Sequence, residues 1–515
     1  MPRPLQPASL ARHASRILHS RLSSTSAAPL LRPVGALTSK PYAFTARSWE
    51  LKSIDSVDVL DGLGSNIRVD IRGTDIMRVL PRLNEDVNEE WISDKARFSY
   101  DGLKRQRLDA PMIKSRSGDL ITTDWPTARF MLRNVILSLD RKHPAGYRAS
   151  AIVGPTVDVR SAAALRAQFL AHFPGGDMHV AAQPPGVSTD FRAAYKMNSG
   201  VAGVEQADVC LLVGANPRRE APVFNARIRK AVIHGGLRVA SVGAAMDLTY
   251  GFEHLGVSTK TLKALVEGKH PWASVIQEAE RPMVVVSNQA LLREDGAAIH
   301  EMLYTFCKKN GVITDEWNGF NVLHQGANAV GLMDIGFDSK DAAPTGFSDT
   351  KFLYLLAADD LDNVNIPDDC FVVYQGHHGD AGASRADLIL PGAAYTEKSA
   401  TYVNTEGRPQ QANVVFFPPG AAMDDADLLH ALPGPYLSPL SGLPAAGLDV
   451  LAPHLAEVGE LAEDVEAMAG GGKGGVMFET PLAEPVEDFY LTDPISRSSV
   501  TMAKCSRVVK VSNFD

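Results

Sequence analysis

The sequence predicts an α/β protein built on doubly wound, mostly parallel sheets, with a small β-rich domain toward the amino terminus. Two observations predict this fold class. After residue 145, short β-branched runs end at glycine or another turn residue and lead into stretches with helical spacing. The length of 515 residues also exceeds the size at which one core stops growing, so two or more folded units are expected.

Strands and helices alternate along this part of the chain. We expect strands at 151–153, 209–213, 239–242, 283–286, 352–356, 371–374 and 388–390, and helices at 162–173, 224–234 and 291–309. A repeated strand, tight turn and helix is typical of a doubly wound parallel sheet. There is room for two such lobes.

The small domain is predicted from a different pattern. Residues 67–79 alternate apolar and polar side chains around a turn at Gly73, which predicts a two-stranded β unit with one buried face. The polar stretch 81–108 then reads as an ordered connection or interface. We therefore divide the chain into a leader at 1–32, a small domain at 33–100, α/β lobes at 101–432, and a linker and tail at 433–515.

Charge is distributed unevenly. Residues 1–49 have seven basic side chains and no acidic one, a formal charge of +7 against −9 for the whole chain, so the remainder carries −16. An Arg-rich, Ser-rich, acid-free segment is typical of a mitochondrial transit peptide, with a merely disordered basic tail as the alternative. The acidic remainder argues against nucleic acid as a partner. No run of about 18 apolar residues is present, so no membrane span is predicted.

Several side chains invite a metal or phosphate site and are better explained by structure. No two of the four cysteines have the spacing of a metal clip, and Cys210 lies in an apolar run typical of a core. His377 and His378 on an extended segment would point to opposite sides, so a turn with one histidine bonded to backbone is expected. The glycine run at 470–475 lacks phosphate-loop spacing and predicts a linker, and the acidic residues at 457–466 predict a solvated helix face.

Two polar loops carry a resemblance. At 385–411 an apolar run ends at Pro391 and a series of hydrogen-bonding side chains follows, and at 207–222 a strand breaks at Gly214. A loop after a strand of an open α/β sheet is where ligand-contacting groups lie. Both segments resemble molybdopterin-dependent oxidoreductases, in which the corresponding loops hold a pterin cofactor. The resemblance implies that the positions of a vestigial pterin pocket are Asn216, Glu397, Asn404, Glu406 and Arg408.

Longer segments narrow the resemblance. Residues 84–95, 100–108, 376–380 and 489–497 closely resemble the 75 kDa subunit family of mitochondrial complex I. This implies a peripheral-arm subunit in electron transfer from NADH to ubiquinone, with other peripheral-arm subunits as partners and a peripheral location on the matrix side of the inner membrane.

The resemblance also implies iron–sulfur clusters, which that family binds as 2Fe–2S and 4Fe–4S centres through an amino-terminal region. That region ends in a cysteine just before a motif that stands here at 33–40, and Arg32 precedes it in this chain. Because clusters need thiolates at close spacing, we expect no cofactor and no metal in this chain. The cluster-bearing half would then be a separate polypeptide, or the chain a truncated gene-model fragment.

The expected role is accordingly scaffolding, with no catalytic residue, and with the five pterin-pocket positions holding a loop through buried hydrogen bonds. The rival hypothesis is an autonomous molybdopterin-type oxidoreductase. Such enzymes need a Cys, selenocysteine or Ser ligand to the metal and usually a Cys-rich cluster site, and residues 33–100 contain no cysteine.

Overall fold

The computed structural model describes residues 39–181, 184, 187, 189, 191–337, 347–361, 364–432 and 477–512. The predicted leader at 1–32, the acidic helix face at 457–466 and the glycine linker at 470–475 lie outside the described residues.

The strands, in chain order, are β1 (Lys52–Val57), β2 (Asn66–Arg72), β3 (Asp75–Pro81), β4 (Met112–Lys114), β5 (Leu120–Thr122), β6 (Arg148–Val153), β7 (Asp177–Val180), β8 (Val209–Val213), β9 (Arg238–Val242), β10 (Glu253–Gly256), β11 (Pro282–Ser287), β12 (Phe320–Leu323), β13 (Thr350–Leu356), β14 (Phe371–Gly376), β15 (Leu388–Pro391), β16 (Ala400–Val403) and β17 (Pro409–Ala412). The α-helices are Asp94–Phe98, Trp125–Lys142, Val159–His172, Pro217–Glu220, Pro222–Lys230, Thr259–Val266, Trp272–Gln277, Asn288–Leu291, Gly296–Lys309, Ala329–Asp334, Ala381–Arg385, Asp425–Ala431, Pro494–Ser498 and Val500–Ser512.

The first sheet is antiparallel, in the order β1-β2-β3. The β2–β3 hairpin turns at Gly73, whose φ of 64° lies in the left-handed region that favours glycine. The predicted two strands are present, but the expectation of one buried face was wrong. Asp70 of β2 is also buried, because the side chains of Ser53 and Arg78 both bond to it on the other face.

The second sheet contains five parallel strands in the order β10-β9-β8-β11-β12. All residues of β8 and β11 are buried, as expected for central strands covered on both faces. Because chain order runs outward in opposite directions from β8 and β11, the topological switch point lies between these two strands.

The third sheet has seven strands in the order β5-β4-β15-β14-β13-β6-β7. The five strands from β15 to β7 are parallel, and β4 and β5 add an antiparallel edge. Its switch point lies between β6 and β13. The predicted fold class, doubly wound mostly parallel sheets with a small β-rich domain, is confirmed; the division at residues 32, 100 and 432 stays a prediction.

Two helix boundaries differ from the prediction for local reasons. The helix expected at 162–173 begins at Val159, because the Asp158 side chain accepts a hydrogen bond from the Ser161 N–H at 2.9 Å and caps the first turn. The helix expected at 291–309 begins at Gly296, after a separate short helix that ends at Leu291. Within the described ranges, no helix has the length and apolar character needed to cross a bilayer.

Candidate functional site

The switch point of the seven-stranded sheet holds a small cavity. Its volume is about 30 Å³, and its lining includes Thr156 after β6, Ala357 after β13, His377, Lys398 and Asp425. Open α/β sheets bind their ligands at this position, outside the carboxyl ends of the strands. A volume of this size has room for one or two water molecules.

Lys398 occupies the centre of this crevice as a buried cation. Its Nζ lies 2.7 Å from an Asp158 carboxylate oxygen and 2.6 Å from an Asp425 carboxylate oxygen, and all three side chains are buried. Asp158 is the helix-capping residue described above, and Asp425 also accepts a hydrogen bond from the Gln375 amide at 3.0 Å. Three separate elements therefore meet at one ammonium group.

The ion cluster controls protonation within the crevice. Burial alone would lower the pKa of Lys398, but the two carboxylates outweigh it and hold that pKa well above its usual value. Burial alone would raise the pKa of Asp158, and the Lys398 charge and Ser161 hydrogen bonds reverse this and hold it below its usual value. Lys398 is therefore a fixed charge and cannot serve as a neutral base at physiological pH.

Glu397, the residue next to Lys398, points to a different partner. Arg107 grips its carboxylate with two nitrogens, one of them 2.6 Å from Oε2, and also donates to the backbone oxygens of Leu103 and His377. The Glu397 carboxylate in turn accepts a hydrogen bond from the Ala394 N–H at 2.9 Å. Its acceptor capacity is thus taken by the chain itself.

Asn404, Glu406 and Arg408 lie together in the turn between β16 and β17. The Asn404 amide donates to the Leu63 carbonyl at 2.9 Å, and Glu406 accepts from the Val201 N–H at 2.9 Å and from Arg408 Nε at 2.8 Å. Leu63 belongs to the small domain and Val201 precedes β8. The turn therefore connects three parts of the chain.

Asn216 lies elsewhere, at the switch point of the five-stranded sheet. Its N–H donates to Glu220 at 2.7 Å, and its side-chain amide donates to Glu484 at 2.7 Å. Glu220 also accepts from Ser287 at the end of β11 and from Gln325. Burial raises the pKa of Glu220 to about 7, and the nearby Glu484 charge adds to the shift.

The segment 477–487 lies over this second crevice. Leu482 donates its N–H to the Val257 carbonyl at 2.9 Å, and its side chain comes within van der Waals range of Gly214, where β8 ends. Arg293 donates to the Pro481 carbonyl at 2.9 Å. Residues from the carboxyl-terminal part of the chain therefore occupy the place where a ligand of this sheet would lie.

The five sequence-predicted positions thus do not form one pocket. Three share a hairpin turn, Glu397 lies beside the first crevice, and Asn216 lies in the second. Four site residues were missed from the sequence: Arg107, Asp158, Lys398 and Asp425. Lys398 stands in the polar run that drew attention to this loop, but its two carboxylate partners lie far from it in sequence, and no spacing rule connects them.

The histidine pair differs from the prediction. The rings of His377 and His378 do not point apart; their Nδ1 atoms are 2.5 Å from each other, because the pair follows the end of β14 in a turn and not in an extended strand. His378 does bond to backbone, with Nε2 3.0 Å from the Gly102 carbonyl. Burial lowers the pKa of His378 to about 4, so it is neutral at physiological pH.

A pterin cofactor does not fit these crevices. The first is filled by the Lys398 ion cluster, with a cavity of about 30 Å³, and the second is covered by residues 477–487. Among the described residues, no group of three or more His, Cys, Asp and Glu side chains is arranged to hold a metal ion. No step through a pterin is therefore derived.

Three family models match the chain. Molybdopterin oxidoreductase matches residues 107–434, the NDSU1/NuoG-like 4Fe–4S domain of NADH-ubiquinone oxidoreductase matches residues 51–101, and a carboxyl-terminal domain of NADH-ubiquinone oxidoreductase matches residues 457–505. The first match covers both α/β sheets, and the second covers the three-stranded sheet.

The second match corrects the cofactor prediction. We expected no iron–sulfur region in this chain, and that was wrong, since residues 51–101 are a 4Fe–4S domain by family and one relative is named an iron-sulfur protein. The donor set of this segment does not fit such a cluster, however, because clusters are held by cysteine thiolates and residues 51–101 contain no cysteine. No electron-transfer step is derived through it.

Curated relatives cover almost the whole chain. The 75 kDa subunit of NADH-ubiquinone oxidoreductase from Reclinomonas americana is 42% identical over 506 residues, which span 93% of this chain and 72% of the relative. The mitochondrial 78 kDa subunit from Neurospora crassa is 43% identical over 93% of this chain and 66% of its own length. The mitochondrial iron-sulfur protein 1 of NADH dehydrogenase from Solanum tuberosum is 41% identical, over 93% and 64%. The chain therefore belongs to the family of the 75 and 78 kDa subunits of mitochondrial NADH-ubiquinone oxidoreductase.

Proposed function

We propose that this chain works in the mitochondrion as a peripheral-arm subunit of NADH-ubiquinone oxidoreductase, where its two α/β sheets form a scaffold and not a pterin-binding enzyme. The names of its relatives support the assembly, because each of them is a subunit or an iron-sulfur protein of that oxidoreductase. Its partners would be other subunits of the peripheral arm.

The Lys398 cluster is the observation that carries the scaffold role. A lysine held between Asp158 and Asp425 at 2.7 and 2.6 Å replaces a ligand with a permanent internal bridge. Removing one member of a buried ion group leaves uncompensated charge, so the cluster holds the crevice shut. The same polar loop that would contact a cofactor thereby becomes part of the core.

The test separates assembly from chemistry. Cells that lack the chain are complemented with wild type, Lys398→Met, or Lys269→Met, an exposed lysine paired with Glu267. We expect Lys398→Met to lower the amount of assembled oxidoreductase on native gels, while ubiquinone reduction per assembled enzyme stays at the wild-type value. Lys269→Met should change neither.

Two results would contradict the proposal. One is normal assembly of Lys398→Met with reduced turnover per enzyme, which would place Lys398 in the chemistry. The other is stoichiometric molybdenum in the purified wild-type chain, which would favour the autonomous oxidoreductase.

A further inference from the structure

Four buried oxygen atoms without a hydrogen-bond partner lie in one short segment of the small domain, the connection between β1 and β2. They are Ser56 Oγ, Asp58 Oδ2, Asp61 Oδ2 and Ser65 Oγ, and each of these side chains is at most 2% exposed. Buried polar atoms are nearly always paired, and each unpaired one is costly. Four in ten residues therefore need an explanation.

Strand register brings three of these side chains to one face. β1 and β2 pair Ser56 with Ile67 and Val57 with Asn66, and the Asp58 N–H continues the ladder by donating to the Ser65 carbonyl at 2.9 Å. Since side chains two residues apart point to the same side of a strand, Ser56, Asp58 and Ser65 share a face.

Asp61 joins this group from the turn. Each aspartate uses one carboxylate oxygen for its own turn, Asp58 Oδ1 for the Leu60 N–H and Asp61 Oδ1 for the Leu63 N–H, at 3.2 and 3.0 Å. The second oxygen of each stays free. Burial raises the pKa of both carboxyls, and for Asp58 the Asp61 charge raises it further, which indicates that the two lie close together.

The protein supplies only part of the positive charge that this group needs. Lys95 is buried and acts electrostatically on both aspartates, but its Nζ is directed to Thr492 Oγ1 and lies 4.0 Å from Asp493. Asp58, Asp61 and Asp493 against Lys95 give a formal charge of −2 when all are ionised. A buried excess of negative charge is unfavourable unless a cation joins it.

We propose that Ser56, Asp58, Asp61 and Ser65 bind a hard divalent cation, Ca²⁺ or Mg²⁺, within the domain that belongs by family to a 4Fe–4S type. Oxygen-only donors with two carboxylates suit these ions, and waters complete the coordination. Iron–sulfur clusters and zinc favour thiolate or imidazole ligands, which this group does not offer. The ion would compensate the charge and fix the β1–β2 turn, whose Leu63 carbonyl receives Asn404.

The test uses the full-length chain stripped with EDTA and titrated with CaCl₂ or MgCl₂, with thermal unfolding and calorimetry as readouts. Wild type should bind one ion and unfold at a higher temperature when it is present. Asp61→Asn should weaken binding by about tenfold or more, because the charge of the ligand set governs affinity. Asp75→Asn, which alters an exposed aspartate paired with Lys104 in the same domain, should bind like wild type.

The variant keeps the test decisive, since Asp61→Asn removes a buried charge and should unfold at a higher temperature than the ion-free wild type. Three results would overturn the proposal: no response of wild type to either ion, an equal response in Asp61→Asn, or stoichiometric iron and sulfide bound after anaerobic reconstitution. The last result would assign the segment to a cluster after all.

Discussion

Arg107 and Glu397 form a two-pronged ion pair across 290 residues of sequence, with Arg107 Nη2 2.6 Å from Glu397 Oε2. The arginine precedes the first strand of the seven-stranded sheet, and the glutamate lies in the loop that follows β15. Glu397 is buried, so the pair fixes the loop against the start of the α/β lobes.

Arg107→Lys should destabilise the protein by about 2 kcal/mol, because a lysine keeps the charge but cannot form both hydrogen bonds. Urea unfolding of the purified chain measures this loss. Arg238→Lys is the matched control, since Arg238 pairs with Glu253 on the surface and should change stability by less than about 0.5 kcal/mol. Equal effects of the two substitutions would contradict the role given to the Arg107 pair.

Lys398→Met should lower the free energy of unfolding by about 3–5 kcal/mol, because it leaves Asp158 and Asp425 as uncompensated buried charges. Urea titration at neutral pH checks this value. The triple change Lys398→Met, Asp158→Asn and Asp425→Asn should recover part of the loss, since it removes the repulsion together with the cation. A triple variant as unstable as the single one would show that charge is not the cause.

Glu220→Gln should change how stability depends on pH. The pKa of Glu220 rises from an ordinary value near 4.5 to about 7 in the folded chain, so the folded state holds this proton more tightly than the unfolded state. Its contribution is present below about pH 4.5 and is lost as the pH rises through about 7, by up to about 3 kcal/mol. Urea unfolding at about pH 5 and about pH 8 should show a smaller loss in the variant than in wild type.

Gly154→Ala should destabilise the first switch point. A Cβ at Gly154 would lie 1.9 Å from the Ala357 carbonyl oxygen, so β6 and β13 could not keep their spacing. We expect a loss of about 1–3 kcal/mol by thermal or urea unfolding. Gly175→Ala, where an added Cβ has no neighbour within 4 Å, should be nearly neutral. A neutral Gly154→Ala would contradict the close approach of these strands.

The periodicity of the chain was sufficient to predict the parallel strands. The β8 and β11 runs are apolar at nearly every position because both faces are covered, and such runs are visible in sequence. The position of the polar loop after β15 was predicted for the same reason, since Pro391 and Gly392 end the strand. The grouping of the five pterin-pocket positions was not predictable from spacing, and three sites now hold them.

Local sequence therefore determined which segments became strands and helices and, through long motifs, which family the chain belongs to. Tertiary structure decided what the polar residues do. Lys398 meets Asp158 and Asp425, and Glu397 meets Arg107, only because the order of strands in the sheet brings distant segments to one crevice. Hydrogen bonds and ion pairs depend on distances between atoms, and a sequence fixes those distances only over a few residues, so the closure of both crevices became visible only in the folded chain.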